Sequence, residues 1–125
     1  MATKHTYLKT HQLAGALLTP DLPIEVERLR DKAALASNGR AAKTLVKEGQ
    51  LRVTLVALNR GATLMKHSVA GVVSVHLLRG RCSLDAGGRE AAMSSGQLVV
   101  MGDGVQHGLK AQADSMLLIT VAMSC

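Results

Sequence analysis

Two stretches decide how this chain folds: Gly61-Ala62-Thr63-Leu64-Met65-Lys66-His67-Ser68-Val69-Ala70-Gly71-Val72-Val73-Ser74-Val75-His76-Leu77-Leu78-Arg79-Gly80, and Gly96-Gln97-Leu98-Val99-Val100-Met101-Gly102-Asp103-Gly104-Val105-Gln106-His107-Gly108-Leu109-Lys110-Ala111. Successive side chains of a strand point to opposite faces, so parity sorts each stretch into an inside and an outside. Val73, Val75 and Leu77 share one face, and Ser74 and His76 share the other. Met65, His67 and Val69 share a face, as do His107, Leu109 and Ala111. The result is an apolar interior that carries two imidazoles, bounded by glycine turns that break each run.

Working outward, the same texture continues from residue 41 to the end. Short β-branched or apolar runs predict strands near Lys43–Lys47, Leu51–Asn59, Thr63–His67, Val72–Leu78, Arg81–Asp85, Glu90–Met93, Gln97–Met101, Gln106–Gln112 and Ser115–Met123. Asn59-Arg60-Gly61, Arg79-Gly80, Gly87-Gly88 and Gly102-Asp103-Gly104 punctuate them. Many short strands with no helix-length segment between them point to an antiparallel sandwich or barrel. Residues 1–40 read differently. Pro20 to Pro23 is a turn, and residues 24–36 predict a helix with a rough apolar stripe of Ile24, Leu29, Ala33 and Leu35. Ser37-Asn38-Gly39 stops it. The expected organisation is an N-terminal extension over 1–40 and a barrel over 41–125.

Composition limits the function. The chain has 125 residues, which suits one domain. It is 47% hydrophobic and 1% aromatic, so its core is aliphatic and it lacks stacking platforms for sugars or bases. Net charge is +6, and between Arg40 and Lys66 six basic residues meet only Glu48. A basic face attracts anions non-specifically, but with no interleaved aromatics it does not predict specific nucleic-acid binding. Cys82 and Cys125 have neither metal nor redox spacing; Cys82 reads as a small buried residue. Neither Leu13–Leu18 nor Met116–Met123 is long enough for an export signal or a span. The expectation is a cytoplasmic protein that does not bind membranes.

The glycine and histidine spacing resembles the cupin superfamily. Its first motif is Gly, five residues, His, one, His, three or four, Glu, six, Gly; here Gly61, His67, Val69, Val73 and Gly80 stand at those places. Its second is Gly, five residues, Pro, one, Gly, two, His, three, Asn; here Gly96, Gly102, Gly104, His107 and Ala111 stand there. The resemblance covers residues 51–123. It is to the small single-domain, RmlC-like cupins with a degenerate first motif, a functionally uncharacterised group. It implies an all-β, jelly-roll β-barrel, here with a short N-terminal helical segment. It also implies a homodimer, for which the edge segment Lys43–Lys47 is a candidate contact.

The resemblance further implies a metal site of three His and one Glu, of which this chain keeps His67 and His107. Val69 and Val73 replace the other two and join Met65 and Met101 as expected pocket residues. Zinc normally takes three protein ligands and an open position, and non-haem iron two His and a carboxylate. The pair could hold one divalent ion (Zn, Fe, Mn, Ni or Cu), with Met65 and Met101 as soft donors in the copper case. It could also serve as a hydrogen-bonding pair or general base for a small molecule, or be an inert part of a closed core. A metal-dependent dioxygenase or isomerase and a non-catalytic sensory barrel stay open beside the binding reading, and the sequence leaves enzyme activity undecided. The His-Asp-Tyr chemistry of cupin sugar epimerases has no match, because Tyr7 lies outside the barrel segment. His5 and His11 lie there too.

Overall fold

In a computed structural model, which describes residues 12–124, the described residues form one helix and nine strands. Helix α1 runs Leu22–Leu35. The strands are β1 Arg40–Glu48, β2 Leu51–Leu58, β3 Thr63–His67, β4 Gly71–Arg79, β5 Arg81–Ala86, β6 Arg89–Ser94, β7 Leu98–Met101, β8 His107–Ala111 and β9 Ser115–Met123. They build a five-stranded sheet in the order β1-β2-β9-β4-β7 and a four-stranded sheet in the order β3-β8-β5-β6. Every pairing is antiparallel. From β2 onward the chain crosses repeatedly between the sheets, which is the jelly-roll way of burying two inner faces. The two sheets face each other without closing into a continuous hydrogen-bonded ring.

The inner faces follow the predicted parity. Val56, Leu58, Val73, Val75, Leu77 and Leu117 of the larger sheet meet Cys82, Leu84, Met93, Leu109 and Ala111 of the smaller one, all buried. Fully burying an aliphatic side chain of this size contributes about 1.5–3 kcal/mol, so this layer supplies the main driving force. Gly80 makes the tight corner between β4 and β5 at φ +104°, a conformation that favours glycine.

The helix forms a second, smaller core on the outer face of the larger sheet. Asp21 caps it by accepting a bond from the Ile24 N–H at 3.2 Å, and Pro23 lies in its first turn, where no N–H is needed. Val26, Leu29 and Ala33 fall on one stripe and pack against Leu45, Leu55, Ala57 and Met116. The predicted stripe was rotated: Ile24 and Leu35 are exposed, and Val26 takes the inner place. The buried Glu25 explains the rotation, because its carboxylate is held by Lys43 Nζ of β1 at 2.8 Å. A sequence stripe that treats Glu as solvent-facing puts that face outside. At the far end the Ala33 carbonyl, which accepts the Ala36 N–H at 3.2 Å, also accepts from Asn59 Nδ2 at 2.9 Å, which ties the helix end to the residue after β2. The helix therefore packs on the sheet, and β1 pairs with β2 of its own chain over its whole length.

Candidate functional site

The site is built by the pairing of β3 with β8. Their register sets His67, the last residue of β3, directly opposite His107, the first of β8. The ring centroids lie 4.4 Å apart and the planes are tilted by 55°. His107 is buried and His67 is exposed beside it, and a register shift falls between Leu64 and His67. The shift overturns the parity argument for Met65, which is 77% exposed and lies off the site. Met101 is buried in the inner core but does not line the cavity beside the two imidazoles. With both sulfurs away from the rings, the soft donor set considered for copper is not assembled.

That cavity has a volume of about 50 Å³. His67, Val69, Val73 and His107 all line it, with Leu64, Leu109 and Ile119 among the rest. The four motif positions thus converge on one place, two as imidazoles and two as valines. Sequence reading put Val75 on the inner face but did not assign it to the pocket, and it did not single out Leu64, Ile119 and Val121; for Ile119 and Val121 the signal was the inward parity of β9. The loops that carry the motifs also hold each other. The Gly104 N–H donates to the Val69 carbonyl at 3.1 Å, and the Gly71 N–H donates to Asp103 Oδ1 at 2.8 Å. Asp103 thereby ties its own turn to the neighbouring loop.

Both imidazoles are oriented in the same way. His67 Nδ1 lies 3.1 Å from the Met65 carbonyl, and His107 Nδ1 lies 3.0 Å from the Val105 carbonyl. A carbonyl oxygen only accepts, so each Nδ1 must be the protonated nitrogen. In the neutral ring this leaves the lone pair on Nε2. Neither Nε2 has a hydrogen-bond partner among the described residues. The structure therefore presents two nitrogen lone pairs of fixed tautomer on neighbouring rings. Backbone carbonyls commonly orient metal-binding histidines in this manner. The remaining donors are missing, however: among the described residues no group of three or more His, Cys, Asp or Glu gathers anywhere. The donor set fits half a coordination shell and does not fit a resident ion held by protein ligands alone. His76 is on the outer face of β4, opposite Leu118 and Leu98, and takes no part. Tyr7, His5, His11 and Cys125 lie outside the described residues.

Two antiparallel sheets in jelly-roll connection, with glycine-turned His motifs meeting at one end, give the cupin fold, and this chain is a small cupin-fold protein. Known structures agree. A conserved protein of unknown function from Streptococcus pyogenes superposes with a TM-score of 0.67 at 26% identity, over 72% of this chain and 79% of that one. A cupin superfamily protein from Desulfitobacterium hafniense gives 0.67 at 12% identity, over 74% and 87%. Salicylate 1,2-dioxygenase from Pseudoaminobacter salicylatoxidans gives 0.78 at 16% identity, over 91% of this chain but 37% of the enzyme. No protein-family model matches the chain, and no curated protein does. No helix among the described residues is long and apolar enough to cross a membrane.

Proposed function

We propose that this cupin binds a small molecule through the paired Nε2 atoms of His67 and His107. The observation that carries the reading is the shared orientation of the two rings, each locked by a backbone carbonyl two residues upstream. Two neutral acceptors side by side select a donor. The matching head group carries two hydroxyls, an ammonium or another cation; an anion would require protonated rings. The valines at 69 and 73 leave the rest of the cavity apolar, so the body beside that head is apolar as well. An imidazole in this state can also take a proton from a bound hydroxyl, which is the chemistry these residues offer if the protein is an enzyme.

The same lone pairs favour a second reading, a weakly held divalent ion whose shell the ligand or water completes. Two imidazoles alone do not hold such an ion tightly. One experiment addresses both. Chemical-shift mapping of the intact protein against a panel of small aliphatic diols, catechols and amines, and against Zn²⁺ and Ni²⁺, should give shifts at His67, His107, Val69 and Val73. Those shifts should vanish in the His67→Ala/His107→Ala protein. A panel whose hits map elsewhere, or survive the double substitution, refutes the site.

A further inference from the structure

Helix α1 and the larger sheet leave an open cavity between them, at the end of the sheets away from the imidazoles. Val73 lines the imidazole cavity. Arg79, roughly 20 Å further along β4 at the rise of a strand, lines this one. Its volume is about 170 Å³, against about 50 Å³ beside the two rings. A bulge shapes it. Leu77 of β4 pairs with Leu117 of β9, but Arg79 pairs with Met116, so Leu78 is an extra residue. Plain alternation would put Arg79 on the inner face with Leu77. The bulge re-aims it to the face of Met116, under the helix. Ala57 of β2 completes that row, and α1 brings Val26 and, one turn later, Arg30 over it. Val26, Ala57, Leu58 and Met116 are buried and give the cavity aliphatic walls.

The rim carries charges of both signs that do not satisfy each other. The Arg79 guanidinium has no hydrogen bond or ion pair among the described residues. Arg30 meets Glu27 at 2.9 Å, with both side chains well exposed, and keeps further N–H donors. Asp114 lines the same cavity. Its Oδ1 accepts the Arg60 N–H at 2.8 Å, which fixes the carboxylate, and it forms no ion pair with either arginine. A cation and an anion that face one cavity without touching leave room for a molecule of matching polarity between them.

We propose that this cavity binds a free α-amino acid with an aliphatic side chain. Its carboxylate takes the forked N–H donors of Arg79, with Arg30 beside them, since a planar guanidinium matches a carboxylate two bonds at a time. Its ammonium meets the second oxygen of Asp114. Its side chain lies against Val26, Ala57, Leu58 and Met116. Arg40, Arg60 and Arg81 stand at the same end of the sheets, so the local field draws the carboxylate in. A simple anion, phosphate above all, would also face the Asp114 charge, and a simple amine would face two guanidinium groups. Only a molecule carrying both charges suits the whole rim. Walls with no ring to stack on select an aliphatic body.

An amide chemical-shift titration of the full chain with leucine tests it. Leucine should move the Ala57, Arg79, Asp114 and Ser115 resonances and leave those of His67 and His107 in place. Isocaproate, which lacks the ammonium, and isopentylamine, which lacks the carboxylate, should each bind at least about tenfold more weakly, the loss of one charge-assisted hydrogen bond. Arg79→Gln and Asp114→Asn should each weaken leucine binding by a similar factor; the asparagine keeps an oxygen to accept from the Arg60 N–H. If either variant loses its fold, the comparison of the three ligands on the unaltered chain decides. No movement at about 20 mM leucine, or movement confined to other residues, overturns the proposal. So does isocaproate or isopentylamine binding as tightly as leucine, or leucine binding that both substitutions leave unchanged.

Discussion

Replacing Gly80 by alanine should nearly unfold this protein. The residue ends the first motif and turns the chain from β4 into β5 at φ +104°. A Cβ at that position would run into Ser115 Oγ and stand 2.5 Å from the Asp114 carbonyl oxygen and 2.8 Å from the Ser115 Cα. Two of these three are backbone atoms of β9 and its approach, so no side-chain rotation relieves them. The left-handed backbone costs about 1–3 kcal/mol for a residue with a Cβ, and overpacking a fixed neighbour costs about 1–3 kcal/mol more. The combined loss is about 4 kcal/mol, a large part of the stability of a domain this size. It corresponds to a fall in Tm of roughly 12–20 °C. The assay is urea unfolding followed by far-UV circular dichroism, because the chain has no Trp. A Gly88→Ala control, with positive φ but nothing within 4 Å of the new Cβ, separates strain from clash and should lose only about 1–2 kcal/mol. A Gly80→Ala protein within 1 kcal/mol of wild type, on the order of measurement error plus surface effects, would refute the close approach of β9 to this corner.

Other outcomes follow from single contacts. Lys43→Ala leaves the buried Glu25 carboxylate without its cation. It should cost about 1–3 kcal/mol, and Glu25→Gln in the same background should return part of that loss in urea titrations. Burial pushes the Cys82 thiol up, partly opposed by its hydrogen bond with Ser115. Because the folded state holds this proton more tightly than the unfolded chain, stability is full below the ordinary thiol range. It should fall as pH rises through that range. Cys82→Ala should flatten the alkaline slope; an equal slope in both proteins would place the effect on another group. In the Cys125→Ser background, Cys82 should react with a disulfide reagent only as fast as the protein opens.

The fold was legible because its determinants are local. Parity, β-branched runs and glycine turns each act over a few residues, and the predicted strands agree with the observed ones to within a few residues at their ends. Val73, Val75 and Leu77 face inward as alternation requires. Legibility failed where a distant partner decides. Glu25 turns inward only because Lys43 on β1 reaches it, and this rotated the helix stripe. Met65 turns outward because of a register shift against β8, which no count along β3 reveals. The site was half legible. Motif spacing found His67, His107, Val69 and Val73, and all four line one cavity. The fixing of each Nδ1 by a backbone carbonyl was invisible, since it depends on loop conformation and not on residue type.

The most direct test of the paired-imidazole site is a long-range ¹H–¹⁵N spectrum of the two rings at neutral pH, free and with the strongest binder from the small-molecule panel. The geometry predicts protonated Nδ1 and bare Nε2 on both His67 and His107, with both Nε2 resonances moving together when the binder is added. An Nε2-protonated tautomer on either ring, or a binder that leaves both Nε2 resonances unmoved, would contradict it.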